Sequence, residues 1–190
     1  RDWCARQMQD IAPQCEWLGA LRRAMPGDGF LVTDLTQVGY PAHLGFPIHE
    51  PGTFINAGYQ GTLGFAYATS LGVAAAHPSR AVVALAGDGG FGWTMQELAT
   101  ARKYGLASVA VVFNNDSFGN VALLQRRQFG RTYATELSNP DFMQLASAFG
   151  VDAQQVRHPN ALAGGLREAL AAGRPALIGG AASEFPAPSD

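Results

Sequence analysis

At 190 residues the chain has room for one sizeable domain, and 47% hydrophobic against 15% charged residues describes a globular chain with a large core, not a disordered one. A formal net charge of −2 with no run of Lys or Arg leaves no electrostatic footprint for nucleic acid, although small anions can still be held by backbone N–H groups. Cys4 and Cys15 lack metal-type spacing to histidine, and His43 and His49 lack one-face helical spacing, which argues against a disulfide framework or a zinc site and for two reduced thiols. No signal-peptide pattern is present, and the weakly polar stretch Thr62–Ala76 is too short to span a bilayer, so a cytoplasmic chain without a membrane partner is expected.

Residues 1–12 read as a helix tail or linker, and 13–190 as a single domain. Pro13 fits the first turn of a helix running to about Met25, with Leu18, Leu21 and Met25 on its buried side. Pro26-Gly27-Asp28-Gly29 makes a turn, and residues 30–34 a short apolar strand. The Gly/Pro-rich stretch 36–52 exceeds an ordinary connection and reads as a functional loop. A second strand is expected at 53–56 and a helix of small residues over 61–76. The continuous apolar runs 81–86 and 109–113 predict strands covered on both faces, with a helix over 91–104 between them, ended by Gly105.

After a loop at 114–138, Asn139-Pro140 is expected to open a helix, with Asn139 as its cap. A strand at 151–157, a helix over 161–172 capped by Asn160, and a last strand at 175–179 complete the chain. Strands alternating with helices across short turns predict a three-layer α/β/α domain around a mostly parallel sheet.

The chemistry concentrates in Ala86-Gly87-Asp88-Gly89-Gly90-Phe91-Gly92, where a buried strand ends and a helix is expected to begin. Ligands of open α/β sheets gather at such carboxyl ends. Gly87, Gly89 and Gly92 fit the dinucleotide fingerprint, but Asp88 inside the turn would repel a pyrophosphate unless a cation intervened. The following strand also ends in Asn114-Asn115, where a dinucleotide site would offer a carboxylate to the ribose. Mg²⁺ resolves the conflict, since it takes hard oxygens from one or two protein groups together with phosphate oxygens. Asn115 lies 115 − 88 = 27 positions after Asp88 and is the natural second ligand. The alternative is that Asp88 only caps the helix and Asn114-Asn115 is an ordinary turn.

Gly87-Asp88-Gly89, then 24 residues, then Asn114-Asn115 resembles the signature of thiamine-diphosphate-dependent enzymes. The stretch from Gly87 to Ala101 is similar to their acetohydroxyacid synthase-like branch, as are the segment Gly58–Phe65 and the closing residues Phe185–Pro188. The resemblance implies a thiamine-diphosphate-binding fold, with Asp88, Asn115 and the Ser117 carbonyl on Mg²⁺. It also implies that the N–H groups of Gly89, Gly90, Phe118 and Gly119, aided by Gln37, hold the diphosphate. Leu63 would prop the cofactor in its bent form, with the Gly61 carbonyl and Leu63 N–H at the aminopyrimidine edge; a plain core leucine is the other reading of Leu63. Decarboxylation or carboligation of a 2-oxo acid would follow, the cofactor acting as electron sink.

The family's activating glutamate belongs to a separate pyrimidine-binding domain, and none of Glu16, Glu50, Glu97, Glu136, Glu168 or Glu184 sits in its motif. The chain thus corresponds to the C-terminal third of a longer enzyme or to one subunit of a split one, inactive alone and expected to form at least a dimer. Where the branch carries Gly-Gln-His this chain reads Thr36-Gln37-Val38. Where the branch has Gly-Met-Val-Arg-Gln-Trp it reads Gly119-Asn120-Val121-Ala122-Leu123-Leu124. Asn120, Val121 and Leu124 would face the substrate channel, and the changes favour a related decarboxylase or carboligase over acetolactate synthesis itself. A non-catalytic module holding the cofactor or a nucleotide is the rival from another class; a nicotinamide-dependent dehydrogenase rests on glycine spacing alone.

Overall fold

The computed structural model describes residues 11–181. The tail Phe185–Pro188 and nearly all of the expected 1–12 linker lie outside the described residues. Helix α1 (Ala12–Ala24) leads into β1 (Phe30–Thr33), α2 (Gly39–Gly45), β2 (Phe54–Asn56) and α3 (Phe65–Ala76). Then come β3 (Val82–Gly87), the single turn α4 (Asp88–Phe91), α5 (Leu98–Tyr104), β4 (Ser108–Asn114) and α6 (Gly119–Phe129). Helix α7 (Phe142–Ala148), β5 (Asp152–Val156), α8 (Pro159–Ala172) and β6 (Ala176–Ala181) follow.

Among the described residues six strands pair in parallel, in the order β2-β1-β3-β4-β6-β5, in keeping with the expected mostly parallel sheet. Strand side chains alternate between faces, and the core divides accordingly. Leu31, Val83, Leu85, Val109, Val111 and Ile178 pack with Trp17, Leu21, Ala42 and Leu166, beneath α1, α2 and α8. Val32, Ala84, Ala86, Val112 and Leu177 pack with Tyr67, Leu71, Leu98 and Ala146, beneath α3, α5 and α7. Every residue of β3 up to Ala86 is buried, as is every residue of β4 up to Phe113, which is why neither run shows polar alternation.

From β1 the chain passes to β2 on one side, and from β3 to β4 on the other. The crevice at the carboxyl ends of β1 and β3 is therefore a topological switch point, the usual ligand position in open α/β sheets.

Six expectations are corrected. The stretch 36–52 contains α2, whose first turn is set by Gly39 N–H donating to Thr36 Oγ1 at 2.9 Å. Helix α3 begins at Phe65, not 61, because Gly61 (φ +57°) and Gly64 (φ +81°) adopt left-handed backbone and hold 61–64 as a turn. The expected 91–104 helix is broken into α4, a 3₁₀ turn at Met95–Glu97 and α5; three-residue backbone bonds from Trp93 to Gly90 and from Thr94 to Phe91 close the chain too tightly for an α-helix.

The 114–138 loop contains α6, of which only Ala122 is buried, so no core-facing stripe announced it. Caps move as well. Helix α7 is capped by Asp141, whose Oδ1 accepts from the N–H groups of Met143 and Gln144 (2.8 and 3.1 Å), and α8 by His158, with Pro159 in its first turn. Neither Asn139 nor Asn160 caps a helix.

Candidate active site

The register of β3 and β4 brings the chemistry together. Gly87 pairs with Phe113, so one residue further the two strands deliver Asp88 and Asn114 side by side. Phe91 fixes the turn that carries Asp88: it is fully buried between the rings of Tyr67 and Phe142, with centroids at 5.2 and 5.6 Å. Asp88 is 3% exposed, and burial holds its carboxyl above the ordinary range, against the pull of the Asn139 amide and of the Gly89 and Ser117 N–H groups. With α5 starting ten positions later, Asp88 does not cap that helix, while Asn114 Oδ1 accepts from the Asp116 N–H at 3.0 Å and closes a turn, as the alternative reading expected.

A cleft of about 290 Å³ opens above these strand ends. It is lined by Gln37, Gly61, Leu63, Gly87, Asp88, Gly89, Gly90, Asn115, Ser117, Phe118, Gly119, Asn120 and Val121, together with Leu35, Thr36, Tyr40 and Phe113. Every site residue expected from the sequence is therefore in one place except Leu124, which is 54% exposed on α6 and outside the cleft. Leu63 is 43% exposed and projects from the 61–64 turn, so it is not a core leucine.

The glycines shape the floor. A Cβ on Gly89 would lie 2.7 Å from the Phe118 ring, one on Gly90 2.7 Å from Asp34 Oδ2, and one on Gly119 2.9 Å from Asn115 Nδ2. At those separations a side chain would have to displace Phe118, Asp34 or Asn115, so glycine keeps the floor open; the Gly89 N–H is itself drawn to the Asp88 carboxyl. Helix α6 opens at Gly119 without a side-chain cap, and its first residues line the cleft, so its free N–H groups and dipole favour an anion there. One expectation needs revision: the Phe118 N–H already donates to Thr135 O at 2.8 Å, so Phe118 contributes its ring and not a free donor.

Three residues escaped the sequence reading. Tyr40, from α2, accepts a hydrogen bond from Asn120 Nδ2 at 3.0 Å across the cleft. Asp34 is 1% exposed at the end of β1, where its Oδ1 accepts from Ala66 N–H at 2.9 Å and caps α3 from 32 positions away. Asn139 donates to Asp88 Oδ2 at 2.7 Å. Tyr40 and Asp34 lie within three residues of Gln37, and that proximity was the one available signal; Asn139 had none.

Thiamine diphosphate and a divalent cation suit these residues. Asp88, Asn115 and the Ser117 carbonyl form a hard-oxygen set, while the buried Oε1 of Gln37 has no hydrogen-bond partner among the described residues. No group of three His, Cys, Asp or Glu side chains occurs among the described residues, so a cation here needs amide, backbone and ligand oxygens.

The fold and site define a parallel α/β domain with a cleft of oxygen-bearing side chains and glycine backbone at its switch point. Residues 34–179 match the family described as thiamine pyrophosphate enzyme, C-terminal TPP binding domain, and the chain belongs to that family. It is 35% identical over 164 residues to the acetolactate synthase large subunit of Haemophilus influenzae, covering 84% of this chain and 28% of that protein. To the acetolactate synthase isozyme 3 large subunit of Escherichia coli it is 36% identical over 177 residues, covering 88% of this chain and 31% of the relative. The thiamine diphosphate-dependent 4-hydroxybenzoylformate decarboxylase of Rhodococcus jostii RHA1 superposes with a TM-score of 0.82 at 25% identity, over 91% of this chain and 33% of that one. The chain thus spans about 30% of the length of the curated relatives it matches. No helix among the described residues is long and apolar enough to cross a membrane.

Proposed function

We propose that this domain is the diphosphate- and magnesium-binding half of the active site of a 2-oxo-acid decarboxylase or carboligase. The convergence of Asp88, Asn115, Ser117 and the Gly89-Gly90 and Gly119 backbone in one cleft carries the reading. Asp88, the Asn115 side-chain oxygen and the Ser117 carbonyl would hold Mg²⁺, and the N–H groups of Gly90 and Gly119, with Gln37 and the Gly89 N–H that Asp88 also draws on, would hold the diphosphate. Leu63 would support the cofactor, and the Gly61 carbonyl and Leu63 N–H would hold its aminopyrimidine. When bound, thiamine diphosphate supplies the electron sink for decarboxylation, while the protein supplies position and electrostatics.

A pyrimidine-binding domain, on the same or another chain, completes the site with its glutamate. The exposed apolar groups on the cleft wall, Leu63 and Val121, together with Leu124 on the same helix, support a packed partner there. They also favour an assembly of at least two copies. Asn120, with its bond to Tyr40, and Val121 bound the substrate side. The departures at Val38, Asn120 and Leu124 support a decarboxylase or carboligase other than acetolactate synthase.

Calorimetric titration with thiamine diphosphate is expected to give binding heat with Mg²⁺ present and none without it. Leu63→Ala should weaken thiamine diphosphate about tenfold, the worth of one apolar contact, while leaving magnesium pyrophosphate unaffected. Equal binding with and without metal would overturn the proposed clamp.

A further inference from the structure

Asn139 stands outside the cleft lining, yet its amide nitrogen is the meeting point of three oxygens. It lies 2.7 Å from Asp88 Oδ2, 3.0 Å from Asn114 Oδ1 and 2.9 Å from Asp116 Oδ1. An amide NH₂ has two hydrogens, so one is shared between acceptors. Two of those acceptors are carboxylates, and the donor between them screens one from the other.

The surrounding backbone shows what this junction holds. Asp116 adopts φ +53°, a left-handed conformation uncommon for a residue with a side chain, and its N–H donates to Asn114 Oδ1 at 3.0 Å. The segment returning from α6 is stitched to the same loop. Thr135 O accepts from Phe118 N–H (2.8 Å) and Ser117 Oγ (3.0 Å), Asp116 O accepts from Leu137 N–H (2.8 Å), and Ser117 bridges to Glu136. Asn139 ends this strap. Its amide grips Asn114 and Asp116, the residues flanking Asn115, and directly fixes one oxygen of Asp88.

We infer that Asn139 is a positioning residue for the cation, setting the Asp88 carboxylate and the 114–117 loop in the arrangement that receives it. The inference rests on the function proposed above. Outer hydrogen bonds of this kind orient metal ligands, and their loss usually costs about 10- to 100-fold in metal affinity. A merely structural tie would instead lower the melting temperature and leave metal affinity unchanged.

The test is Mn²⁺ binding to the chain in the presence of thiamine diphosphate, read from the free-ion paramagnetic resonance signal, beside melting of the unliganded protein. Asn139→Ala is expected to weaken Mn²⁺ by about tenfold or more. Asn139→Asp has the same shape but replaces the donor with a third carboxylate. It is expected to melt lower without metal and to recover more with Mn²⁺ than wild type does, and it carries the test if the alanine variant does not fold. Wild-type Mn²⁺ affinity in Asn139→Ala, or a cation response in Asn139→Asp no larger than wild type's, overturns the positioning role. Failure of the wild-type chain itself to bind Mn²⁺ with thiamine diphosphate overturns the proposed function instead.

Discussion

Asp88→Ala is expected to abolish magnesium-dependent binding of thiamine diphosphate, a loss of about 100-fold or more, or about 2.7 kcal/mol and upward. The expectation comes from what the carboxylate does in each state. Without a cation, Asp88 is a nearly buried acid whose charged form is disfavoured, as its raised pKa records. A bound divalent ion reverses that preference, because its charge becomes the largest in the site. Alanine removes the one formal negative charge in the proposed ligand set, leaving Mg²⁺ an amide and a carbonyl.

The unliganded protein should tolerate the change. Asn139 keeps two acceptors, Asn114 and Asp116, for its two amide hydrogens, and relief of the buried Asp88 charge offsets the acceptor that the Gly89 and Ser117 N–H groups lose. Calorimetry and thermal melting at pH 7.5 should show lost binding with a melting temperature equal to or above wild type's. Retained metal-dependent binding would refute the assignment of Asp88.

The second large effect concerns Asp34 and pH. Burial raises its carboxyl from 3.8 to about 6, outweighing the N–H groups of Ala66, Gly64 and Phe65 that favour the charged form. Its Oδ2 has no hydrogen-bond partner among the described residues. A carboxyl whose folded pKa lies above its unfolded value binds more protons when folded. Its contribution is therefore most favourable below the unfolded value and is lost as pH rises through the folded one. The window runs from pH 4 to about 6, and the shift corresponds to about 3 kcal/mol at most.

Denaturant melts of the unliganded protein should accordingly show stability falling across that interval. Asp34→Asn, shaped like the protonated acid, should match wild type near pH 4 and exceed it at pH 7.5, with a flatter profile. Asp88, which shifts in the same direction, adds to the remaining slope, and His43, whose pKa burial lowers, opposes it. Parallel profiles for the two proteins would show that Asp34 does not titrate in this range. At neutral pH the folded domain therefore carries a charge at the end of β1 that costs stability, directed at the N-terminus of α3 beside the turn that presents Leu63.

The parts of this protein legible in its sequence are those that depend on neighbours along the chain. The apolar runs at 81–86 and 109–113 read as strands covered on both faces and are so, whereas β5, with its polar Asp152–Gln155, was placed by the alternation of strands and helices and not by an apolar run. Asp88 and Asn115 could be read as partners because each follows directly on a strand, and parallel strands in register bring their ends together. Helix boundaries were less legible. Helix α6 buries too little to leave a periodic stripe, and the 91–104 pattern gave no warning that Trp93 and Thr94 would turn against Gly64.

Tertiary structure alone decided the support of the site. Asn139 precedes a proline and has the pattern of a helix cap, yet it reaches Asp88 across 51 positions, while the next carboxylate, Asp141, takes the cap. Asp34 caps a helix that begins beyond β2. Local pattern reports which groups a segment can offer; which partner satisfies a buried polar group depends on what folding brings within about 3 Å of it, and that is not encoded in spacing along the chain.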